Sequence, residues 1–517
     1  MDKKATTYFY YLLIINTLLR VCIAAFTDLG TDEAYYFCYG LYLDWSYFDH
    51  PIMIGLLAKA STIISHAGSA FGFRVFPLII GTVNLILVFK IAKTISGNRA
   101  GFIAALLFSA SFYGSVISGG FTLPDNPLTL FWLLSVFCVV KFIQAKKKNW
   151  LYIIFFGVFA GLAFLSKYSA LFLWLGLAVF AMIYNGRYLL KKPYFYVAAV
   201  ISIILFLPVI LWNYYNAYES FSFHGNRIAG GHIRLDYFAT ELFGQVFYNN
   251  PVNVFIIISS IVYFFRNRRS LNTPVYSFLL LISIPLIITT LFISFFNRTL
   301  PHWSGPGYLG LIIFSSIILD NKHKNNFMQA IKKGVAGNIF FIVVVVLALF
   351  EINTGFIPTA NNSDKEKLGK NDISLDLYGW KQIQKKTFEL INHDLETNKT
   401  ENNFVLITHN WFPAGSIEFY IAQPLNKKLY IWGSKEKAHQ YIKINKQRGK
   451  IALNADAYYI TTSRYFKAPD EQLQNYFEQY ENPQLIEVTR NSKPAFYVFI
   501  YRLKKAKCDF IIKNEDH

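Results

Sequence analysis

Apolar runs of roughly 15 to 22 residues follow one another through about the first two thirds of the chain. A helix of about 20 apolar residues crosses the roughly 30 Å hydrocarbon core of a bilayer, so each run predicts a membrane span. We predict about eleven spans, within a range of about 11 to 13. The runs begin near Tyr8, Arg74, Gly101, Asn126, Trp150, Tyr168, Pro193, Pro251, Val275, Pro306 and Gly334. The pattern therefore predicts a polytopic α-helical membrane protein.

Two further segments need their own interpretation. The N-terminus carries Lys3 and Lys4 and then an apolar run without a small-residue cleavage site, which predicts an uncleaved first span. The segment from Ile52 to His66 is shorter and follows a polar loop. It predicts a helix that lies at the membrane interface, with a twelfth crossing as the alternative.

The character of the chain changes after Ile352. The remaining residues are rich in charged side chains and asparagine, and they contain the strand-like runs FVLIT, LYIWG, AYYIT and AFYVFIYRL between helix-like segments. We therefore predict two domains, a transmembrane domain over residues 1–352 and a soluble α/β domain over residues 353–517.

The composition excludes an ordinary soluble enzyme. Of the 517 residues, 54% are hydrophobic and only 16% are charged. The formal net charge of +19 would suggest nucleic-acid binding in a soluble protein. In a polytopic protein the same excess indicates basic cytoplasmic loops, so we predict no nucleic-acid partner.

The distribution of basic residues predicts the orientation of the chain. With the N-terminus inside, the loops assigned to the cytoplasm hold about 16 Lys and Arg residues, and the outward loops hold about 4. The positive-inside rule therefore favours a cytoplasmic N-terminus and an external C-terminal domain.

Under this orientation, acidic, basic and aromatic residues collect in the outward loops. The first of these loops contains DLGTDEAYYFCYGLYLDWSYFDHP, the second GGFTLPDNP and the fifth FFNRTLPHWSGPGY. Polar residues that face lipid are costly, so a collection on one side indicates a shared site. The candidates are Asp32, Glu33, Tyr47, His50, Asp125, Lys167, Arg227, Arg298, His302 and Trp303.

Each candidate also has a purely structural explanation. Asp32 is compatible with a helix N-cap before AYYFCYGLYL, and Asp125 before Asn126-Pro127 has a similar signature. Glu33 suits the positive end of a helix dipole. The aromatic residues fit an interfacial belt, and the basic residues fit solvated or snorkelling side chains. It is the collection of these residues at one boundary that favours a chemical role.

Acids in two loops and cations in several others suit a substrate with an anionic head and an apolar tail. The cations would hold a phosphate, and a carboxylate would serve as the base for an incoming nucleophile. Two unit charges about 4 Å apart gain about 4 kcal/mol at an effective dielectric constant near 20, which is sufficient to position a phosphate.

The order of these motifs resembles that of the GT-C glycosyltransferases. The chain carries DE in the first outward loop, then YFDHP, LPDNPL, SK, WN with a downstream arginine, and LPHWSGPGYL. The resemblance covers the predicted transmembrane domain. The most similar group is the bacterial branch shared by protein O-mannosyltransferases and the lipid A aminoarabinose transferase, in which an external C-terminal domain is also found.

The resemblance implies an inverting enzyme that uses a polyprenyl-phosphate sugar on the outer side of a bacterial inner membrane, with the C-terminal domain in the periplasm. It implies that Asp32 is the principal catalytic carboxylate, with Glu33 beside it, and that Asp125 matches the acid of the second loop. Tyr47 and His50 fall where the aminoarabinose transferase pattern YFEKP has Tyr and Lys near the donor phosphate. Histidine titrates near neutrality, so a permanent cation at this position is not assured.

The remaining candidates are predicted to bind donor and substrate. Arg227 matches the arginine of the fourth loop in the resemblance. Our working hypothesis is that Arg227, Lys167, Arg298 and His50 stabilise the leaving phosphate. His302 and Trp303 lie in LPHWSGP, which resembles LPxYxxP. Trp303 occupies the place of the Tyr, so an aromatic contact is kept and a hydroxyl is lost.

The implied partners are a polyprenyl-phosphate sugar donor, a glycolipid, glycan or protein acceptor, and membrane lipids. No cofactor is required by the pattern, but two outward carboxylates are able to bind a divalent cation, so metal dependence stays open. The alternative function is a transporter or flippase of a lipid-linked sugar. Transporters usually place ionisable groups near the bilayer midplane, often with internal repeats, whereas the charges predicted here crowd the outer rim.

Overall fold

The computed structural model of the chain describes residues 2–65, 69–183, 187–228, 232–271, 273–357 and 364–512. The packing of the chain divides into two compact units. The first contains residues 1–23, 44–57 and 74–345, and the second contains residues 24–43, 58–73 and 346–517. The predicted boundary after residue 352 separates a membrane-embedded part from a soluble part. These units are defined by packing instead, so the boundary stays a prediction.

Helices form almost all of the regular structure up to Thr354. They are α1 (Asp2–Ala25), α2 (Thr31–Leu41), α3 (Met53–Ile64), α4 (Ala70–Phe73), α5 (Val75–Ser96), α6 (Asn98–Ala110), α7 (Asp125–Gln144), α8 (Leu151–Phe164), α9 (Leu171–Ile183), α10 (Pro193–Tyr215), α11 (Glu219–Asn226), α12 (Leu235–Tyr248), α13 (Pro251–Arg266), α14 (Arg268–Leu271), α15 (Pro274–Ser294), α16 (Gly305–Lys322) and α17 (Phe327–Thr354).

Among the residues described, seven helices are long and apolar enough to cross a membrane, or eight if the bent pair α12 and α13 forms one span. Four shorter apolar helices accompany them, at Met53–Ile64, Asn98–Ala110, Leu151–Phe164 and Tyr168–Ile183. Each predicted span coincides with one of these helices, so the polytopic α-helical architecture is confirmed. The predicted interfacial segment contains α3, and its last residue, His66, lies outside the described residues.

Small residues set the close contact between α15 and α16 in the first unit. A Cβ atom at Gly310 of α16 would lie 2.2 Å from the Ser283 hydroxyl oxygen of α15, and one at Gly307 would lie 2.8 Å from the Ser283 carbonyl oxygen. Close backbone approach through small residues stabilises helix pairs in lipid. These glycines therefore fix the helix that directly follows the LPHWS motif.

The C-terminal segment folds into a six-stranded sheet covered by helices. Its strands are β1 (Val405–Thr408), β2 (Leu429–Ile431), β3 (Ala457–Thr462), β4 (Phe477–Tyr480), β5 (Gln484–Arg490) and β6 (Lys493–Ala506). Its helices are α18 (Trp380–Glu396), α19 (Trp411–Ile417), α20 (Lys435–Ala438), α21 (Tyr441–Arg448) and α22 (Glu471–Asn475). The four predicted strand runs correspond to β1, β2, β3 and β6, which confirms the α/β character of this segment.

The sheet has the order β2-β1-β3-β6-β4, and β5 also pairs with β6. Strand β1 is parallel to both β2 and β3, with Ile407 opposite Tyr430 on one side and Tyr459 on the other. Strand β6 runs antiparallel to β3, β4 and β5. Because the chain leaves β1 for β2 on one side and later returns to β3 on the other, the carboxyl ends of β1 and β3 form a topological switch point. Such points open a crevice in α/β sheets.

Candidate active site

A buried ion pair joins Asp125 to Lys167 in the first unit. The Lys167 Nζ lies 2.8 Å from Asp125 Oδ2, and the two side chains are 13% and 2% exposed. Tyr113, in the π-helical segment Tyr113–Ile117, donates a hydrogen bond to Asp125 Oδ1 at 3.1 Å. Although Asp125 is the first residue of α7, its carboxylate therefore binds side chains from other elements. Helix capping alone does not account for it.

Arg20 anchors the loop that precedes Asp125. Its guanidinium donates to the carbonyl oxygens of Leu78 and Gly119, both at 3.3 Å, and to the Thr82 hydroxyl at 2.9 Å. A Cβ atom at Gly81 would lie 1.9 Å from the same guanidinium, so this position has room only for glycine. Arg20 is 1% exposed, and its bonds to backbone oxygens fix the course of the chain toward Asp125.

Two histidines from distant loops meet in this unit. The ring centroids of His50 and His224 are 6.5 Å apart, and His224 Nε2 lies 2.9 Å from the carbonyl oxygen of Asp49. The Tyr168 ring packs edge-on against His224 at 5.0 Å. Tyr168 directly follows Lys167 in the chain, so the SK motif and the YFDHP motif share one neighbourhood.

Burial and neighbouring charges keep these imidazoles neutral. Burial is the largest cause that holds the pKa of His50 well below its usual value, followed by the charges of Lys167, His224, Arg227 and His302. Burial also lowers the pKa of His224 to about 4, with Arg227 and Lys167 adding to the shift and a hydrogen bond to Asp49 opposing it. At pH 7 the fixed positive charges here are therefore those of Lys167 and Arg227.

Aromatic rings hold Arg227 in place. Its guanidinium carbon lies 4.8 Å from the ring centroid of Trp303 and 5.2 Å from that of Phe223. In the structure the Trp303 ring contacts Arg227 through a cation–π interaction, and its predicted role in substrate binding stays a prediction. Arg298 lies on the same connecting segment with an exposed side chain.

Tyr47 is packed inside the YFDHP turn. Its side chain is 0% exposed, its hydroxyl accepts a hydrogen bond from the Asp44 backbone N–H at 3.3 Å, and Trp212 donates to the Asp44 carboxylate at 2.7 Å. A Cβ atom at Gly55 would lie 2.0 Å from the Tyr47 hydroxyl. In this structure Tyr47 shapes the turn that presents His50, and the predicted contact with a donor phosphate stays a prediction.

Asp32 and Glu33 lie in the second unit, in the first turn of α2. Gly30 is the N-cap residue, and its backbone N–H donates to Glu33 Oε2 at 3.0 Å. Glu33 is buried and stabilises the helix start in the manner of a capping box. Asp32 is exposed at the second helical position. The alternative explanation of Asp32 as the N-cap is therefore wrong, because the helix begins one residue before it.

The sequence interpretation missed Glu241 in α12. This side chain is 1% exposed, and its carboxylate accepts hydrogen bonds from Gln245 at 2.7 Å and Thr299 at 2.8 Å. Tyr308 donates to the same Gln245 at 3.1 Å. An acidic residue inside an apolar helix indicates a functional or structural role. Glu241 is such a residue, so the sequence alone could have identified it. Its bonds tie α12 to the segment before α16.

The first unit therefore groups the cations Lys167 and Arg227 and the neutral imidazoles of His50 and His224 around the buried acid Asp125. This arrangement is suited to bind a phosphate and to exchange a proton with it. Across the described ranges, no three His, Cys, Asp or Glu side chains are grouped so that they could hold a metal ion. The expectation about a divalent cation stays a prediction.

The sequence is similar to those of known glycosyltransferases. A family model described as dolichyl-phosphate-mannose-protein mannosyltransferase matches residues 49–212. The lipid A galacturonosyltransferase RgtD of Rhizobium johnstonii is 24% identical over 369 residues, which cover 69% of this chain and 74% of that protein. The family match contains His50, Asp125 and Lys167.

Solved structures share the fold at low sequence identity. ArnT from Cupriavidus metallidurans bound to undecaprenyl phosphate matches with a TM-score of 0.62 and 14% identity, over 96% of this chain and 98% of that chain. The archaeal oligosaccharyltransferase AglB from Archaeoglobus fulgidus, in complex with an inhibitory peptide and a dolichol-phosphate, matches with a TM-score of 0.51 and 11% identity, over 92% and 73%.

These matches confirm the resemblance to GT-C glycosyltransferases, together with the expected GT-C-like membrane fold and its C-terminal sheet domain. The prediction that the chain is a glycosyltransferase of this type is confirmed as well. None of the relatives named here is a transporter. The roles of the individual site residues stay predictions.

Proposed function

We propose that the protein moves a sugar from a polyprenyl-phosphate donor to an acceptor of the bacterial cell envelope, on the outer side of the inner membrane and with inversion at the anomeric carbon. The observation that carries this proposal is the grouping of Lys167, Arg227 and His50 beside the buried Asp125. Two fixed cations suit the single negative charge of a phosphodiester and the larger charge of the departing phosphate.

The reaction balances without a cofactor. An acceptor oxygen attacks the anomeric carbon, a new carbon–oxygen bond forms, and the bond from that carbon to the phosphate oxygen breaks with its electron pair on the phosphate. The acceptor proton passes to a carboxylate and then to solvent or to the leaving phosphate. Lys167 and Arg227 stabilise the charge that develops on the phosphate.

Asp32 is the carboxylate proposed to orient or deprotonate the acceptor. Its exposed position in the first turn of α2 leaves it accessible, whereas the neighbouring Glu33 is occupied with the helix start. Asp125 has a different role in this proposal, because its pairing with Lys167 holds the amine in place beside the histidines. The described contacts thus support different roles for the two acids, with Asp32 acting on the acceptor and Asp125 positioning Lys167.

The relatives support the choice of substrates. ArnT is solved with undecaprenyl phosphate, and the Rhizobium relative is named a lipid A galacturonosyltransferase. By analogy, a polyprenyl-phosphate sugar is the donor and a glycolipid such as lipid A is the first acceptor to test. The positive-inside rule supports a periplasmic C-terminal domain.

The test uses purified protein in liposomes. Supplied with an undecaprenyl-phosphate sugar and lipid A, the protein should form a glycosylated lipid, and mass spectrometry should detect the added sugar. A nucleotide sugar in place of the lipid-linked donor should give no product. Robust transfer from the nucleotide sugar without a lipid intermediate would refute the proposal, and so would movement of the lipid-linked sugar across the bilayer without any transfer.

A further inference from the structure

Helix α2, which carries Asp32, belongs to the same compact unit as the C-terminal sheet, although the two are far apart in the chain. The backbone N–H of Leu29 donates to the Tyr420 hydroxyl at 2.8 Å, and the Asp28 carboxylate accepts a hydrogen bond from the Trp380 backbone N–H at 2.9 Å. The loop that leads into α2 is therefore bound to α18 and to the segment after α19.

Helix α19 packs closely against α2. A Cβ atom at Gly415 of α19 would lie 2.6 Å from the backbone nitrogen of Tyr35 and 2.7 Å from the carbonyl carbon of Ala34. The Tyr35 ring packs against Trp411, with centroids 4.7 Å apart. The backbone of α2 is thus fixed against a helix of the C-terminal sheet domain.

Helix α21 binds one face of α2 along its length. Side chains at positions i, i+3 and i+7 share a helix face. On α2 these are Tyr35, Cys38 and Tyr42, and they bond in turn to Gln440, Tyr441 and Arg448. The three bonds measure 3.1, 2.8 and 2.8 Å between their heavy atoms. The first two bonds involve the start of α21, and the third involves its last residue.

Arg448 connects the end of α2 to a buried acid. Its Nη2 lies 2.7 Å from Glu418 Oε2, and the two side chains are 2% and 0% exposed. Its Nε donates to the hydroxyl of Tyr42, the C-cap residue of α2. The donors of a guanidinium lie in one rigid plane, so the bond to Glu418 fixes the direction of the donor to Tyr42. Arg448 therefore orients the C-terminal end of α2.

The place of Asp32 depends on the direction of this helix. Asp32 lies about 15 Å along the helix axis from Tyr42, at a rise of about 1.5 Å per residue. A rotation of α2 by about 4° around its Tyr42 end would displace Asp32 by about 1 Å. Displacing a reacting group by about 1 Å can cost about 10²-fold in rate.

On the basis of the proposed function, we propose that Arg448 is a positioning residue for sugar transfer, through which the C-terminal sheet domain sets the place of Asp32. The cations assigned to the donor phosphate, Lys167 and Arg227, belong to the other compact unit. Loss of the bond between Arg448 and Tyr42 should therefore slow turnover and leave binding of the donor phosphate unchanged.

The test removes this bond with Tyr42→Phe, which deletes the hydroxyl and keeps the ring whose centroid lies 5.1 Å from the guanidinium carbon. The matched control is Tyr458→Phe. The Tyr458 hydroxyl donates at 2.8 Å to Asp394, which forms another buried ion pair of this domain with Arg502 at 2.6 Å. Both variants remove a phenol hydroxyl beside an arginine–carboxylate pair, but only one of them concerns α2.

Thermal stability, undecaprenyl phosphate binding, kcat and KM are measured for each protein in liposomes, and Tyr42→Phe is also combined with Asp32→Asn. A further variant, Arg448→Lys, keeps the positive charge beside Glu418 and loses the planar guanidinium that also reaches Tyr42. It should therefore reproduce the effect of Tyr42→Phe on kcat.

We expect Tyr42→Phe to lower kcat about three- to thirtyfold, with the KM for the lipid-linked donor and undecaprenyl phosphate binding unchanged. Tyr458→Phe should lose a similar amount of stability and keep the wild-type kcat. In the Asp32→Asn protein, Tyr42→Phe should cause no further loss, because the carboxylate that it helps to place is absent.

Equal kcat values for the two phenol variants would overturn the inference. An equally large effect of Tyr42→Phe in the Asp32→Asn protein would overturn it too, because the bond would then act on turnover without Asp32. Absence of any transfer by the wild type would instead refute the proposed function, which separates the two failures.

Discussion

Replacing Lys167 by methionine should destabilise the protein more than replacing Lys167 and Asp125 together. In the single variant the Asp125 carboxylate, which is 2% exposed, loses the amine 2.8 Å away. Tyr113 still donates a hydrogen bond to it, but a phenol does not neutralise a charge. The double variant Lys167→Met with Asp125→Asn removes both charges and leaves a neutral amide beside Tyr113.

The magnitude follows from the geometry. Two unit charges 2.8 Å apart attract each other by about 6 kcal/mol at an effective dielectric constant near 20, and the cost of burying both offsets part of this. Removing one partner of a buried pair typically costs about 3 to 5 kcal/mol, because the other charge stays buried and unpaired. We expect this cost for Lys167→Met and only about 1 to 2 kcal/mol for the double variant. The two sites should therefore couple by at least about 1 kcal/mol, the smallest difference between these two costs.

The assay is equilibrium unfolding in mixed detergent micelles, followed for both single variants and the double variant, with undecaprenyl phosphate binding measured in parallel. A second ion pair in the same unit, between Arg99 and Asp320 at 2.9 Å, gives a matched control. Arg99→Met should lower stability without changing phosphate binding. If Lys167→Met were no less stable than the double variant, the ion pair would not be the reason why Asp125 is held as described.

Four further outcomes are expected. The lipid-linked sugar donor, whose phosphodiester keeps one negative charge over this range, should bind more tightly as the pH falls from about 7 to 5, because a bound anion favours protonation of His50 and His224, whose pKa values are lowered in the free protein. A pH-independent Kd for this donor would contradict that reasoning. The unliganded protein should lose stability below about pH 6.5, since the unfolded imidazoles take up protons first; a calorimetric series that shows no loss would oppose it. Gly55→Ala should cost about 1 to 3 kcal/mol by displacing the Tyr47 ring, and wild-type thermal stability would argue against the close contact. Reporter fusions after Lys148 should score cytoplasmic and those in the C-terminal domain external; the reverse pattern would invert the orientation.

The membrane helices and most of the sheet were predictable because their signals are local. A long apolar run predicts a span whatever its neighbours, and runs such as AYYIT predict buried strands. Strands β4 and β5 were missed because their outward residues are mostly polar, as in QLIEVTR. The turn between β5 and β6 has a sequence signal in Asn491, because asparagine tolerates the positive φ that Asn491 and Ser492 both adopt there, as in tight hairpin turns.

The candidate site was predictable as a set of residues but not as a set of contacts. The positions of Asp125 and Lys167 in outward loops predict that both face the same side of the membrane. Their ion pair could not be predicted, because it depends on how α7 packs against the turn after α8. The same holds for Arg227, because its contact with Trp303 joins residues that are far apart in the chain.

Asp32→Asn in liposomes tests most directly whether the protein transfers a sugar from a polyprenyl-phosphate donor with Asp32 as the carboxylate that activates the acceptor. Asparagine keeps the size and polarity of the side chain and removes its charge and basicity. We expect the folded variant to bind undecaprenyl phosphate like the wild type and to transfer sugar from the lipid-linked donor about 10² to 10⁴ times more slowly, the usual cost of losing a general base. Wild-type transfer rates by the folded Asp32→Asn protein would contradict the account.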